Sequence, residues 1–359
     1  MFVHKIELND FRNFERLEIF LQKGVNVFYG ENAQGKTNML ESVYLCATGR
    51  SQRARNIKEL VRFGGDYANV TVFIKSGYDD GVDKINVNLN ADGAKRVLIN
   101  GVQINKMSEL FGKLLAVMFS PEDLKLIKSG PAERRRFMDM ELCQLSVSYC
   151  HDLQRYYRVL KQRNNLLRSV KYNPSAAETL FLWDRQIVEI GIEIIKKRRA
   201  FISDLSDAAA ETHSRITNGT EKLKISYKPN VTEDDFEEKL KRNKDRDIFL
   251  AATASGVHKD DLSFEINGFN AKVYGSQGQQ RTACLCAKLA EISVIKNQKK
   301  RSPVLLLDDV FSELDETRRR FLIKNIEGVQ SIITSAGAVE ANVFKNALEV
   351  KNGKIYRGV

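Results

Sequence analysis

The stretch GENAQGKTN, Gly30–Asn38, decides the fold class of this 359-residue chain. It contains the pattern Gly-x-x-x-x-Gly-Lys-Thr, and it lies between the β-branched and aromatic run VNVFY and a helical pattern from Thr37 to Thr48. A glycine-rich loop in that position presents backbone N–H groups and the positive end of a helix to an anion. The stretch therefore predicts a phosphate-binding loop in an α/β fold.

The loop residues have distinct chemical tasks in this interpretation. The glycines let the backbone curl around phosphate oxygens, Lys36 reaches the β- and γ-phosphates, and the Thr37 hydroxyl holds Mg²⁺. A chance glycine-rich turn is the alternative, and the flanking strand and helix argue against it. The predicted ATP-binding residues of the loop are Gly30, Glu31, Asn32, Ala33, Gln34, Gly35, Lys36, Thr37 and Asn38.

A second half of the site is predicted near the other end of the chain. Pro303 is followed by VLLLDD, an apolar run that ends in Asp308 and Asp309. Such a run is typical of a buried parallel strand with carboxylates at its tip. Asp308 is placed to hold Mg²⁺ through water, and Asp309 to orient or deprotonate the attacking water. Lys36, Asp308 and Asp309 are the predicted catalytic residues, and Thr37 and Asp308 the predicted metal ligands.

The turn YGSQGQQR, Tyr274–Arg281, precedes another long helical pattern. A Ser/Gly/Gln turn at a helix N-terminus is a second anion-binding device. Because one nucleotide needs only one phosphate loop, we predict that this turn grips the γ-phosphate of a nucleotide held by another copy of the chain. An ordinary loop with a capped helix is the alternative that the residues leave open. The residues concerned are Ser276, Gln277, Gly278 and Gln279.

The pattern of the remaining sequence changes twice along the chain. Short alternating runs over 67–104 predict an antiparallel β-meander. From Pro131 to Ser169 the pattern predicts one long helix, and a turn at Asn173-Pro174 leads to a second helix that forms an antiparallel hairpin with it. Asp234–Asp247 is highly charged, and alternation returns beyond Asp261. We therefore predict an ATPase head from residues 1–120 and 250–359, with a helical arm domain of residues 121–249 inserted between them.

Composition and charge limit the classes of protein to which this chain can belong. No window approaches 18 uninterrupted apolar residues, which predicts no membrane span, and the N-terminus lacks the apolar core of a signal peptide. Five cysteines without a CxxC indicate neither a zinc site nor a disulfide framework, which fits a cytoplasmic protein. The net charge of +11 is compatible with a polyanionic partner.

Two basic clusters are candidate DNA contacts, although solvated helix faces are the ordinary explanation of a single charge run. The candidates are Arg50, Arg53, Arg55, Lys58, Arg62, Arg134, Arg135 and Arg136.

The order of the motifs resembles that of the ABC-type ATPases of the SMC and RecF group. SQGQQR resembles their signature motif, LLLDD their Walker B strand, and SELD their D-loop, with Ser312 and Asp315 as its polar residues. Within the group, the resemblance to the RecF proteins of bacterial recombinational repair extends from end to end and is weakest over 160–250. The further matching motifs are FRNF at Phe11–Phe14, FSPEDL at Phe119–Leu124, GPAERRRFMD at Gly130–Asp139 and GVHKDDL at Gly256–Leu262.

This resemblance implies an ABC-type ATPase head that uses ATP and Mg²⁺ and forms an ATP-dependent homodimer. It also implies binding of DNA at single-strand gaps, cooperation with RecR and RecO, loading of RecA and a part in the SOS response. Arg12 and Asn13 of FRNF are expected near the base or sugar of ATP, with a purely structural role as the alternative.

Departures from the usual ABC pattern favour a slow, switch-like ATPase, and we expect DNA to stimulate it. Asp309 stands in place of the usual Glu, Ser120-Pro121-Glu122-Asp123 stands at the Q-loop, and Ile333-Thr334-Ser335 stands where a switch His would be. RecF proteins commonly share these features.

Other function classes are less compatible with the motifs. An SMC-like partition protein needs a long coiled coil, whereas the predicted helices reach about 60 Å at most. A GTPase needs an Asp that Asn105-Lys106-Met107-Ser108 lacks, and a small-molecule kinase has no use for SQGQQR. A transporter ATPase needs membrane partners, on which the sequence is silent.

Overall fold

The computed structural model describes residues 1–75, 81–336, 346–351 and 353–357, without the side chains of Glu313 and Arg357. The strands are β1 (Phe2–Phe11), β2 (Phe14–Phe20), β3 (Val25–Tyr29), β4 (Tyr67–Lys75), β5 (Val82–Asn90), β6 (Lys95–Ile99), β7 (Val102–Gln103), β8 (Ala116–Phe119), β9 (Leu223–Lys228), β10 (Asp261–Ile266), β11 (Phe269–Asn270), β12 (Val304–Asp308), β13 (Ser331–Ser335), β14 (Ala347–Lys351) and β15 (Lys354–Arg357). The α-helices are α1 (Lys36–Thr48), α2 (Lys125–Lys128), α3 (Pro131–Leu145), α4 (Val147–Val170), α5 (Leu180–Ile216), α6 (Phe236–Arg242), α7 (Lys244–Leu250), α8 (Ala271–Tyr274), α9 (Gln277–Lys299) and α10 (Glu316–Ile326).

The chain forms two compact units, the first of Met1–Asp123 with Glu291–Val359 and the second of Leu124–Ala290. The boundary differs from the expected one, because residues 250–290 belong to the second unit. The physical reason is strand pairing: β10 joins β9 in antiparallel register, with Leu262 opposite Tyr227, so it extends the sheet of the second unit.

The first unit contains two six-stranded sheets. One is antiparallel, in the order β2-β1-β4-β5-β6-β7, and contains the predicted meander. The other has the order β15-β14-β3-β13-β12-β8, and its strands run parallel except for the edge pair β14–β15. The predicted α/β fold class is therefore confirmed.

Helix α1 packs against β4 and β5 of the antiparallel sheet and against β8, β12 and β13 of the parallel one. Apolar side chains at alternate strand positions, such as Ile6 and Leu8 of β1, are fully buried in this core. Because α1 follows β3 directly, the loop Gly30–Gly35 is fixed between a core strand and a core helix.

The parallel register brings three strand ends to one edge of the second sheet. Ser335 of β13 lies beside Tyr29 of β3, and Thr334 lies beside Asp308 of β12. The carboxyl ends of adjacent parallel strands are where open α/β sheets bind ligands. The fold therefore collects the ends of β3, β12 and β13 next to the glycine-rich loop.

The second unit contains the predicted helical hairpin, in which the 24-residue α4 packs along the 37-residue α5. The prediction of one helix from Pro131 to Ser169 is wrong, because the chain breaks into α3 and α4 at Ser146. The backbone of Ser146 is extended, and its hydroxyl accepts from the N–H of Tyr149 at 3.1 Å. A serine in that conformation is a favoured helix N-cap, so it starts a new helix.

Two guanidinium groups are fully buried in the second unit. Arg163 of α4 bonds to Asp184 of α5 and Asp247 of α7, each at 2.6 Å. Arg198 of α5 bonds to Asp139 of α3 and to Asp260, each at 2.7 Å. These ion pairs tie the hairpin to the elements on both sides of it.

The charged segment Asp234–Asp247 contributes to α6 and α7, and Phe236 and Leu240 of α6 are buried. Among the described residues, no helix combines the length and the apolar character required to cross a membrane.

Candidate nucleotide site

Two positions of the loop Gly30–Gly35 accept only glycine because other segments of the chain pack closely against them. Gly30 and Gly35 have φ of +146° and +108°. A Cβ at Gly30 would lie 2.4 Å from the carbonyl oxygen of Val350, and one at Gly35 would lie 2.4 Å from Nδ2 of Asn13. Since both contacts are far inside van der Waals distance, the two glycines are required by this loop geometry.

Lys36 begins α1 and is buried, with its Nζ inside the loop. The ammonium donates to the carbonyl oxygens of Gly30 and Glu31, the latter at 2.7 Å. Burial lowers the pKa of Lys36, and the nearby carboxylates of Asp309 and Asp308 oppose that shift. The loop thus already contains a cation at the place where phosphate oxygens would enter.

Thr37 and Asp308 meet although 271 positions separate them in sequence. The Thr37 hydroxyl donates to Oδ1 of Asp308 at 2.7 Å. A hydroxyl and a carboxylate are oxygen ligands of the kind that Mg²⁺ prefers, so this pair fits the metal of an ATP complex.

Asp309 follows Asp308 in a left-handed conformation, with φ of +49°. Its N–H donates to the carbonyl oxygen of Thr334 at 3.2 Å and to the Thr334 hydroxyl at 3.0 Å. Asp309 therefore turns away from the strand direction at the sheet edge.

These groups line one cavity of about 1140 Å³. That volume is slightly above the usual range for ligand pockets, so it is large enough for a nucleoside triphosphate. The predicted residues on its wall are Arg12, Asn13, Asn32, Ala33, Gly35, Lys36, Thr37, Asn38, Asp308 and Asp309, and Thr334 joins them. The side chain of Glu31 is exposed.

Arg12 and Asn13 brace the loop. The Nε and Nη2 of Arg12 donate to the carboxylate of Glu41, at 2.9 and 2.8 Å. Its Nη1 donates to the carbonyl oxygen of Glu59 at 2.7 Å. Asn13 donates to the carbonyl oxygen of Gln34 at 2.9 Å and accepts from Asn38 at 2.8 Å. This geometry favours the structural alternative for the FRNF motif.

Sequence reasoning missed Glu41, which is only 2% exposed. It binds Arg12, and it also accepts a hydrogen bond from Ser51 at the start of the first basic cluster. A lone acid on the buried face of a helix, four positions after Thr37, is the signal that could have identified it.

The first basic cluster divides between two environments. Arg53, Lys58 and Arg62 line the nucleotide cavity, and Arg53 donates to Asn38 at 3.4 Å. Arg50 and Arg55 are exposed and are not on the cavity wall, whereas Arg53 and Lys58 are exposed and on it. The cluster therefore contains cations that face the candidate nucleotide site as well as cations that face solvent.

The second cluster needs a correction at Arg134, which belongs to the second unit and is 7% exposed. Its guanidinium bonds to both carboxylate oxygens of Asp261, at 2.6 and 3.0 Å. Arg135 donates to the carbonyl oxygen of Asp260, and Arg136 is exposed. Burial and pairing give Arg134 an internal role, so it is not available to a DNA phosphate.

The SQGQQR turn begins α9 in the form of a reciprocal cap. The Gln279 N–H donates to the Ser276 hydroxyl at 3.2 Å, and the Ser276 N–H donates to the Gln279 side chain at 2.9 Å. The Gln279 amide also donates to Glu221 at 2.8 Å, a residue that sequence reasoning missed. Ser276 and Gln277 are exposed, and Gly278 and Gln279 are half-buried. The turn thus presents an ordered helix N-terminus at a surface.

The SELD segment continues from the Asp309 turn. The Ser312 hydroxyl donates to the carbonyl oxygen of Asp309 at 2.7 Å. Asp315 caps α10 by accepting from the N–H of Arg318 at 2.9 Å. The predicted D-loop polar residues therefore link the Asp309 turn to the next helix.

A protein-family model and known relatives match nearly the whole chain. The family model described as RecF/RecN/SMC N terminal domain matches residues 2–355. A DNA replication and repair protein RecF of Lachnoclostridium phytofermentans is 46% identical over 357 residues, which cover 99% of this chain and 98% of the relative. The protein of that name from Lachnospira eligens is 47% identical over 343 residues, which cover 95% of this chain and 94% of the relative.

Solved structures show the same likeness. The structure of the recombination mediator protein RecF-ATP in the RecFOR pathway has a TM-score of 0.92 and 33% identity, with 100% of this chain and 98% of that chain covered. An SMC head bound to the C-terminal winged-helix domain of ScpA has a TM-score of 0.59 and 16% identity, with 99% and 97% covered. The second likeness concerns the fold alone.

Proposed function

This chain belongs to the RecF family within the RecF/RecN/SMC group, and we propose that it is an ATP-dependent DNA-binding protein of recombinational repair and replication-fork maintenance. The names of its relatives, DNA replication and repair protein RecF, support the biological role. The likeness to RecF-ATP supports ATP as its ligand.

The observation that carries the proposal is the meeting of the phosphate loop with the end of β12. The Nζ of Lys36 lies inside the loop, and Thr37 is bonded to Asp308 at 2.7 Å. Loop N–H groups and Lys36 would bind the β- and γ-phosphates, while Thr37 and Asp308 would hold Mg²⁺. The metal supplies charge neutralisation of the phosphates.

Hydrolysis in this proposal depends on Asp309. Its carboxylate orients or deprotonates the attacking water, and it is one methylene shorter than the Glu usual in ABC-type ATPases. A shorter reach makes the ATPase weak, and we propose that DNA stimulates it. ATP then acts as a switch between two states of the protein.

The switch in this proposal is dimerisation of two copies. The exposed turn Ser276–Gln279 of one copy closes on the γ-phosphate bound by the other, with the D-loop residues Ser312 and Asp315 near the junction. The closed dimer clamps DNA at single-strand gaps, and hydrolysis releases it. This cycle supports RecA loading with RecO and RecR, and SOS induction, in the cytoplasm where the chromosome lies.

The proposed DNA contacts are the exposed cations Arg50, Arg55 and Arg136, with Arg135 beside the last. Arg53, Lys58 and Arg62 line the nucleotide cavity, so a substitution there is expected to alter nucleotide binding as well. Contacts with phosphates make affinity depend on salt.

The test is size-exclusion chromatography with ATP, with ADP and without nucleotide, alongside ATPase rates with and without DNA at several salt concentrations. We expect a monomer that dimerises only with ATP, a loss of dimer in Lys36→Ala and Ser276→Arg, and retention of ATP binding in Ser276→Arg only. Lys113→Ala, at an exposed lysine, is the matched control for Lys36→Ala.

Two outcomes would overturn the proposal. If neither DNA nor RNA binds in an ATP-dependent way or changes the ATPase rate, the repair role is abandoned. If Ser276→Arg dimerises as the wild type does, the closure of the SQGQQR turn on the partner's nucleotide is abandoned.

A further inference from the structure

Thr334 sits at the centre of the carboxylate cluster and was not among the predicted site residues. It lies on β13 directly beside Asp308 of β12, and it is 1% exposed. Its hydroxyl donates to Oδ1 of Asp308 at 2.8 Å and accepts from the N–H of Asp309 at 3.0 Å. One hydroxyl group therefore bonds to both acidic residues of the site.

The bond to Asp309 acts on an unusual piece of backbone. With φ of +49° and ψ of 29°, Asp309 is in the left-handed region, which side-chain-bearing residues rarely adopt. Its N–H is shared between the hydroxyl and the carbonyl oxygen of Thr334. Both acceptors of the Asp309 N–H come from one residue, and only the hydroxyl depends on the side chain.

The bond to Asp308 adds to the one that Thr37 makes to the same carboxylate. Thr37 and Thr334 both donate to the same oxygen, Oδ1 of Asp308, at 2.7 and 2.8 Å. The two hydroxyls hold that oxygen from different elements, Thr37 from α1 and Thr334 from β13. Thr334 is not part of the phosphate loop.

We propose that Thr334 is a positioning residue that holds the Asp308 carboxylate toward the metal and fixes the Asp309 turn, within the stretch Ile333–Ser335 that stands where a switch His would be. This inference rests on the proposed ATP site. A hydroxyl on a core strand holds its partners without titrating near neutral pH, whereas a His in that place would be sensitive to pH.

The alternative explanation is that Thr334 only fills a buried strand position, for which a β-branched residue is well suited. Valine has the same shape without the hydroxyl, and serine keeps the hydroxyl with one methyl group fewer. A positioning role predicts that Thr334→Val is more impaired than Thr334→Ser. A packing role predicts that Thr334→Ser is the more impaired of the two.

The experiment titrates Mg²⁺ into the full chain with a fluorescent ATP analogue, and it also measures analogue binding without metal, ATPase rates and thermal unfolding. Because partners of metal ligands typically change metal affinity by 10–100-fold, we expect Thr334→Val to raise the Mg²⁺ midpoint by about tenfold or more. Its kcat should fall while KM for ATP and metal-free binding stay within about twofold of the wild type. Thr334→Ser should restore the Mg²⁺ midpoint.

Thr71→Val is the matched control. Thr71 is also a buried strand threonine of the first unit whose hydroxyl bonds to side chains, Asn69 at 3.0 Å and Asn86 at 2.7 Å. We expect it to change the unfolding temperature without changing the Mg²⁺ midpoint.

A Mg²⁺ midpoint in Thr334→Val equal to that in Thr71→Val, or a serine variant as impaired as the valine variant, overturns the inference. Should Thr334→Val fail to fold, Thr334→Ala against Thr334→Ser makes the same comparison. A wild-type chain that binds no ATP analogue at all would instead defeat the proposed function, so the two failures are distinguishable.

Discussion

The side-chain amide of Asn13 fills the space beside Gly35, where a Cβ would lie 2.4 Å from its Nδ2. The same amide bonds to Gln34 and Asn38 on either side of that glycine. The turn between β1 and β2 therefore holds the phosphate loop from outside, and the shape of the loop depends on a segment that precedes it in sequence.

We expect Gly35→Ala to abolish most nucleotide binding. The backbone has φ of +108°, which strains an L-residue, and the added methyl group meets Asn13. Binding of a fluorescent ATP analogue should weaken by at least tenfold, which corresponds to about 1.4 kcal/mol. Asn13→Ala in the same chain should restore only part of it, because the strain persists. Gly24→Ala is the control, as nothing lies within 4 Å of its Cβ position. Normal binding by Gly35→Ala contradicts the prediction.

We expect Asp247→Ala to be one of the most destabilising substitutions in the second unit. Asp247 and Arg163 are both fully buried, and removal of the carboxylate leaves the guanidinium without that partner. Loss of one partner of such a pair typically costs about 3–5 kcal/mol. Glu189→Ala breaks an exposed pair with Arg185 and should cost under about 1 kcal/mol. Urea unfolding measures the loss in free energy of unfolding for each variant. Equal losses in Asp247→Ala and Glu189→Ala would contradict a large contribution from the buried Arg163–Asp247 pair.

We expect stability to fall as the pH drops from about 6.5 toward 4, with His258 as one cause. The pKa of His258 is lowered from 6.5 to about 4, mainly by burial. The hydrogen bond to the Thr253 backbone opposes this shift, and the nearby cations Lys259, Arg135 and Arg163 add to it. The unfolded chain therefore binds a proton in this range that the folded chain does not, so folding loses free energy as pH falls. The full loss from this group is roughly 3 kcal/mol.

The measurement is urea unfolding of the wild type and His258→Gln at pH 7 and pH 5. The difference in stability between the two proteins should shrink at pH 5, because glutamine does not titrate. An unchanged difference would rule out His258 as a source of acid sensitivity.

We expect Arg50→Ala with Arg55→Ala to weaken DNA binding without a loss of stability. Both side chains are exposed, and each lost phosphate contact should reduce the slope of log affinity against log salt by about 0.7–0.9. Arg134→Ala should instead leave DNA affinity and the salt slope unchanged. It should lower the free energy of unfolding by roughly 2 kcal/mol, because Asp261 loses its partner. Fluorescence anisotropy with labelled DNA and thermal unfolding separate the two effects. A salt slope that falls with Arg134→Ala alone would contradict this assignment.

Much of the first unit was predictable because its signals are local. The loop at Gly30–Asn38 shows its glycine spacing and flanking apolar runs within a few residues of sequence, and the strand that ends at Asp308 is a continuous apolar run. The break at Ser146 was not predictable from periodicity, because helical spacing continues through it and only the capping hydroxyl marks the new start.

The partners of the site residues were less accessible to sequence reasoning. Glu41, Glu221 and Thr334 carry no motif, and each acts through a hydrogen bond whose other member lies far along the chain. Arg134 looked like part of a basic surface, and only its burial beside Asp261, 127 positions away, gave it an internal role.

The sequence by itself determined the glycine-rich loop between β3 and α1, the acidic end of β12, the helical hairpin and the family, because these follow from short-range patterns and long specific motifs. Only the tertiary structure decided which side chains face one another: the strand order β3-β13-β12 places Thr334 between the loop and the acids. Hydrogen bonds depend on distances of a few ångströms, and those are set by sheet register and packing of elements hundreds of residues apart.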